Sequence, residues 1–408
     1  MAEAAWQAPG LTERRLYEAK TRNDWSAYLA VLAESHLFMA QSRAAVDARP
    51  DETFFHPYVD PRSGARCIAV QTVGLLPAPA PDPVFERVSL YGLANTWRAD
   101  DPPYLAVNPG TPCEAYLPTT PEDRAGWLRH SAATEVYGLP DGAVHALHVG
   151  GPLHGPVARG LAVGAHLAVH NRQFWNAMAF HGEGYRKERE KLEEWWGITT
   201  PAEWAETQAD LLATEFGAGG TWESVLGIRH SLSRTFGGLV GTDHWRQAAE
   251  QVLRRNAEER ARPRLTPDGV TAPTPGRLDS LEAEVTGVQR LIGRIARYEA
   301  RFRADGLLPE GRYVRSVEAW DLGRASQMAR WGLASRFCTL EEAEQAVVRA
   351  GKAARLTYRS WEDFSAGYVL GRCLHFDEEE FGRWYEDMLD VHRLLTTDPG
   401  SPWRNIPW

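Results

Sequence analysis

The chain is poor in cysteine. Four occur in 408 residues, at Cys67, Cys113, Cys338 and Cys373. No two form a C-x-x-C pair, which excludes a zinc ribbon and argues against a disulfide framework. Free thiols in a reducing cytosol are expected. Positive charge is also short: the net charge is -9. A general nucleic-acid binder needs a basic surface, so nucleic acid is disfavoured as a partner. Long apolar runs are missing as well. The longest, near Gly160 to Val169, reaches only about half the length of a membrane span and contains His166. The N-terminus, Met1 to Trp6, has neither the basic nor the apolar region of a signal peptide. A soluble cytoplasmic protein without a membrane partner is expected. No P-loop, G-x-G-x-x-G fingerprint, G-x-S-x-G elbow or Cys-His signature occurs.

What the chain does have is ordinary globular composition, with 43% hydrophobic and 24% charged residues. Its length allows two or three domains. Tryptophan is abundant, at 16, and indoles suit irregular helical cores or ligand pockets.

Residues 11–36 carry Leu16, Tyr17, Trp25, Tyr28, Leu29 and Leu32 at helical spacing. Leu37 to Ala40, Cys67 to Val73, Tyr104 to Val107 and Cys113 to Leu117 read as short strands. Residues 84–95 read as a short helix. Asn108-Pro109-Gly110 is a turn signal. The expectation is a small α+β domain over residues 1–130. The opening helix, the strands at 37–40 and 68–73, and Leu105 to Gly110 make this part resemble the N-terminal domain of the SseB-like family. That resemblance implies a bacterial stress or secretion context and no catalytic residue.

Residues 131–156 read as a connector, with a strand over 143–149 and a glycine turn, Gly150 to Pro156. The turn lacks the Lys-Ser/Thr of a phosphate loop. Beyond it the pattern is helical. Helices are expected over 157–181, 186–194 and 243–262, and a broken one over 222–240. Thr200-Pro201-Ala202-Glu203 is a capping box with proline in the first turn. Residues 263–276 hold four prolines and read as a flexible loop. Leu281, Val285, Val288, Ile292, Ile295 and Phe302 form a heptad-like stripe that needs a partner surface, intramolecular or not. The helix over 317–336 is apolar or small on nearly every side, which places it centrally in a bundle. Thr339 to Glu342 and Ser360 to Asp363 open two further helices, and Asp377 is read as capping a fourth. The tail carries Trp403 and Trp408 and is expected to dock on the bundle.

Trp195 to Ile198, Ala319 to Arg324, Trp331-Gly332, Ser360-Trp361, Tyr368 to Arg372 and Ser401 to Trp403 resemble the YbeU/YbeR-like bacterial family of unknown function. The match covers residues 157–408. It implies a helical domain and a loose link to competition and defence settings, but no activity.

The candidate polar cluster is Asp321, Arg324, Trp361, Asp363 and Arg372. Asp321 and Arg324 stand one turn apart on an apolar helix, where a lone charge costs several kcal/mol. They pair with each other or with Asp363 and Arg372. Such a network either fixes the helix packing or lines a Trp-walled pocket with Asp321 as base and arginines for an anion. His166 and His170 have the i, i+4 spacing of a zinc pair but no third ligand. No metal or cofactor is expected. The function this supports is a non-enzymatic protein-interaction module; the alternative is an enzyme or small-anion binder using the Asp/Arg cluster.

Overall fold

The computed structural model describes residues 6–48, 57–76, 83–131, 142–147, 151–178, 181–182, 185–215, 220–262, 264–266, 269–271 and 278–408. The fold is α+β: a sheet with helices comes first and a large helical part follows. Among the described residues no helix is long and apolar enough to cross a membrane.

The first part opens with α1 (Leu11–Thr21) and α2 (Trp25–Ala33). One helix was expected here. Asn23 adopts a left-handed φ of 54°, and Asp24 caps the second helix by accepting from Ala27 N–H at 2.9 Å. That cap competes with helix continuation. Next come β1 (Leu37–Ser42), α3 (Arg43–Ala48), β2 (Pro57–Val59), β3 (Arg66–Thr72), β4 (Pro83–Val88), α4 (Leu90–Thr96), β5 (Tyr104–Val107), β6 (Ala115–Pro118) and α5 (Pro121–Ser131). The helix expected over 84–95 begins only after Ser89, whose hydroxyl accepts from Gly92 N–H. Residues before it pair antiparallel with β1, and their sequence, Val84-Phe85-Glu86-Arg87-Val88, favours a strand. The sheet runs β6-β5-β3-β1-β4-β7, with β2 also on β3; β7 is His181–Gly182. β3/β5 and β4/β7 are parallel, and the other pairs antiparallel. One face buries Leu16, Tyr28, Leu32, Ile68, Leu105 and Trp127.

The second part comprises α6 (Gly155–Val163), α7 (Ala165–His170), α8 (Tyr185–Trp196), α9 (Pro201–Leu212), α10 (Thr221–Phe236), α11 (Thr242–Ala261), α12 (Leu278–Ala304), α13 (Glu318–Ala334), α14 (Leu340–Thr357), α15 (Trp361–Phe376), α16 (Arg383–Thr397) and α17 (Pro402–Asn405). A hairpin, β8 (Arg264–Thr266) with β9 (Gly269–Thr271), lies in the stretch read as a loop. The helix expected over 157–181 breaks at Gly164, where a Cβ would press on Ser326 Oγ at 2.8 Å. It ends at His170, before Arg172 at φ 53°. Residues 142–147 form no strand; 148–150 lie outside the described residues. Over 222–240 the helix α10 runs unbroken to Gly237 at φ 71°. Gly227 costs it about 1 kcal/mol, and burial of Val225, Leu226 and Arg229 offsets that. Asp377 ends α15 instead of opening a helix; α16 starts at Arg383.

The capping boxes at Thr200/Glu203 and Thr339/Glu342 are both formed. Every residue of α13 from Ala319 to Ala334 is buried. Small residues let its neighbours approach. Gly332 accepts the indole of Trp204, whose Nε1 donates to Met328 C=O at 3.0 Å. Where α6 crosses α14, Gly160 faces Val347 C=O so closely that a Cβ would stand 2.1 Å from the oxygen. The α12 stripe finds its partners within the chain, on α11, α15 and α10. The tail docks as expected: Trp403 Nε1 donates to Ala162 C=O and Trp408 Nε1 to Tyr358 C=O, both at 3.1 Å.

Phe38, Leu76, Leu147, Phe174 and Ala177 form a small core of their own between sheet and helices. Arg330 of α13 reinforces it. Its guanidinium is buried and donates to Phe174 C=O at 2.6 Å, Ala177 C=O at 2.7 Å and Gln327 Oε1 at 2.8 Å. Burial pulls its pKa down to about 10, with Glu188 opposing.

Candidate functional site

Asp321 and Arg324 do pair, within α13, through Oδ1 and Nη2. Asp321 has no exposed surface and Arg324 is 9% exposed. The guanidinium lies 3.6 Å from the centroid of the Trp320 ring, and its Nε donates to Trp320 C=O at 3.3 Å. Burial lowers the Arg324 pKa while the Asp321 carboxylate opposes. This is a largely desolvated ion pair roofed by an indole.

The other three predicted residues sit on α15 and do not join that pair through hydrogen bonds. Asp363, in the first turn, accepts from Arg315 and from Arg359 N–H. Trp361 stacks on Trp403 at 5.6 Å, meets Trp408 edge-on at 4.7 Å, and donates to Ile406 C=O at 2.8 Å. Its role is to seat the tail. Arg372 is nine residues beyond Asp363, about 14 Å along the helix. It is buried and faces His170 Nε2 at 3.5 Å. The rings of Phe376 and Trp384 lie 5.5 and 5.2 Å from its guanidinium. Its Nε has no acceptor among the described residues.

His166 and His170 diverge instead of chelating. Among the described residues no three His, Cys, Asp or Glu groups are placed to hold a metal ion. His166 lies flat on Tyr368, 4.0 Å away at 7°. Its Nε2 is 2.9 Å from Ser365 Oγ, and Ser365 Oγ is 2.8 Å from His392 Nδ1. All three are buried. The hydroxyl has one proton, so it donates to one ring and accepts from the other. His166 Nδ1 has no partner among the described residues. A bare buried acceptor costs less than a bare N–H, so His166 Nε2 donates to Ser365, which donates to His392 Nδ1. Burial pulls the His392 pKa down to about 4 and that of His166 well below normal. Both rings are neutral at pH 7.

Two further charge sites were not anticipated. Arg229 and Glu299 form a buried bidentate pair at 2.8 and 2.7 Å, and Arg229 also donates to Val314 C=O at 2.7 Å. Trp245 and Tyr313 flank its guanidinium at 4.2 and 4.8 Å. Glu223 caps the start of α13, accepting from Val317 N–H at 2.6 Å and Ser316 Oγ at 3.1 Å. Burial pushes its carboxyl up to about 7. Each pairs residues far apart in sequence, and no local signal marks either.

Two concave surfaces lie away from these residues. A cleft of about 730 Å³ opens between α11, α12 and the α15–α16 turn, lined by Arg246, Arg290, Arg294, Arg297, Glu378 and Glu379 among others. A smaller one, about 210 Å³, lies under Trp195 and Trp331. Asp321, Arg324 and Arg372 line neither. Beside the larger cleft, Phe376 and Trp384 stack in the open, 4.8 Å apart at 18°.

A family model described as a protein of unknown function, DUF1266, matches residues 191–408. The chain belongs to the DUF1266 family. No curated protein matches it, and no solved structure does. The arginine cleft, the stacked pair, Ser365 and His392 fall within the DUF1266 region, whereas His166 and His170 precede it. The Ser365 chain therefore ties this DUF1266 helical unit to the segment before it.

Proposed function

We propose that this DUF1266 protein is a non-enzymatic interaction module that seats a partner protein on the surface around the α15–α16 turn. One observation carries the reading: Phe376 and Trp384 are 41% and 45% exposed, yet stacked and fixed over the buried Arg372 guanidinium. Aromatics and arginine dominate binding hot spots. Rigid rings lose little conformational freedom on docking, and covering them removes apolar area from water. His375 stands edge-on to Phe376 at 4.4 Å and extends the patch. The sealed Asp321–Arg324 pair supports a binding reading over a catalytic one. The same proposal divides the chain at 1–130, 131–156 and 157–408. It also carries the finer resemblances, SseB-like for the first part and YbeU/YbeR-like for the last, with their bacterial secretion, competition or defence settings as the source of partners.

The test is comparative capture. Wild-type protein and Trp384→Glu are immobilised and exposed to lysate of the source cells. A stoichiometric protein held by wild type and reduced at least about tenfold by Trp384→Glu supports the reading. Equal retention by both, or no stoichiometric partner, overturns it.

A further inference from the structure

We propose that the cleft between α11, α12 and the α15–α16 turn is a binding site for a linear oligophosphate. The proposal stands apart from the protein-partner reading, because it rests on a different set of side chains.

Helix α12 places Arg290, Arg294 and Arg297 on one face at helical spacing, and α11 brings Arg246 against them. The protein's own carboxylates do not neutralise this cluster. Glu379 serves two arginines: it holds Arg297 through a forked contact at 2.7 and 3.0 Å and stands 3.5 Å from Arg294. Arg294 otherwise donates to Leu374 C=O at 3.3 Å. The carboxylate nearest Arg246 is the exposed Asp243, at 3.5 Å. Arg290 is exposed and meets no carboxylate among the described residues. Four guanidiniums stand against the two lining carboxylates, Glu378 and Glu379, with Asp243 at the edge beside Arg246, so positive charge stays in excess in the cleft.

Gly293 concentrates them. Arg246 Nη2 and Arg297 Nη1 each lie 3.1 Å from where its Cβ would be, so the two nitrogens stand at most 6.2 Å apart. Like charges gathered over a bare stretch of backbone repel each other unless an anion bridges them. A phosphate group, accepting from both, spans that gap, and guanidinium forks match its oxygens.

The lining also says what the site does not read. Among the described residues it contains no aromatic, so no base stacks within the cleft itself. Recognition falls on the phosphates. The volume of about 730 Å³ admits a chain of several of them, free or as the head of a phosphorylated molecule.

The experiment is isothermal titration of the full chain at fixed ionic strength, with tripolyphosphate, adenosine triphosphate and citrate as probes. Tripolyphosphate is expected to bind one to one. Adenosine triphosphate should bind no more tightly, and citrate at least about tenfold more weakly, since it lacks the phosphate geometry. Arg246→Gln and Arg290→Gln should each weaken tripolyphosphate about tenfold. Both side chains reach the surface, and near-ultraviolet circular dichroism checks that the fold is kept. Glu379→Gln should strengthen binding, because it removes the competing carboxylate; damage to the fold would not. The proposal is overturned by absent binding, by citrate matching tripolyphosphate, by adenosine triphosphate binding over tenfold tighter, or by arginine variants that bind like wild type.

Discussion

Lowering the pH should destabilise the helical part through one buried chain, His166–Ser365–His392. In the folded protein His392 titrates at about 4, against 6.5 when free. Its pKa is depressed by burial, and Glu362 opposes while Arg393 adds to it. The unfolded chain therefore takes up a proton as pH falls below 6.5, and the folded one does not until about pH 4. Stability is full above 6.5 and is lost on acidification through that window. Each pH unit costs about 1.4 kcal/mol, so His392 alone removes about 3 kcal/mol by pH 4. The geometry explains why the folded ring resists. Protonation at Nδ1 would replace the acceptor that Ser365 needs and force the hydroxyl to turn toward His166. His166 would then have to shift its proton to Nδ1, which has no partner among the described residues. Its own depressed pKa adds a loss of the same sign. Glu223 works the other way. Its carboxyl is raised to about 7, so it favours the folded state at acid pH. The assay is urea unfolding followed by tryptophan fluorescence at several pH values from 7 to 4. His392→Asn keeps a polar group near Ser365 but takes no proton. Its stability should fall less steeply than wild type, by about 3 kcal/mol over the window. Parallel curves for the two proteins would refute the argument.

Asp321→Asn should cost about 3–5 kcal/mol by leaving Arg324 buried without its anion, while Asp321→Leu with Arg324→Met should recover most of the loss. A variant with only Asp321→Asn that unfolds at the wild-type urea concentration would show that the pair is not structural. Gly160→Ala should destabilise by about 3 kcal/mol, since α6 and α14 must separate to admit the methyl group. Gly227→Ala, with nothing within 4 Å of its Cβ, should stabilise by about 1 kcal/mol. Thermal denaturation of the two variants checks the opposite signs.

Local chemistry carried much of the fold. The capping boxes at Thr200 and Thr339 state their helix starts in four residues each, because cap and backbone are neighbours in sequence. The all-round apolar surface of α13 announced its central place, since such a helix is stable only inside a bundle. Tail docking was legible from two indoles that water does not favour. Where a local preference was balanced, the sequence misled. Residues 84–88 became a strand because β1 offered them a partner, and 222–236 stayed helical through Gly227 because burial outweighed that glycine.

The candidate site divided along the same line. That Asp321 and Arg324 pair follows from their spacing of three on a helix, a local fact. That they are sealed, that Asp363 turns to Arg315, and that Arg372 packs under Phe376 and Trp384 depends on how α13, α15 and α16 meet. The arginine cleft needed more still: its cations come from α11 and α12, and its carboxylates from a turn some 80 residues later. Sequence alone determined the α+β class, the capped helix starts at Thr200, Thr339 and Ser360, and the central helix, because these rest on neighbours along the chain. Only the tertiary structure decided which charges are buried, which are shared and which face a cleft, because desolvation and pairing depend on distances that the chain order does not contain.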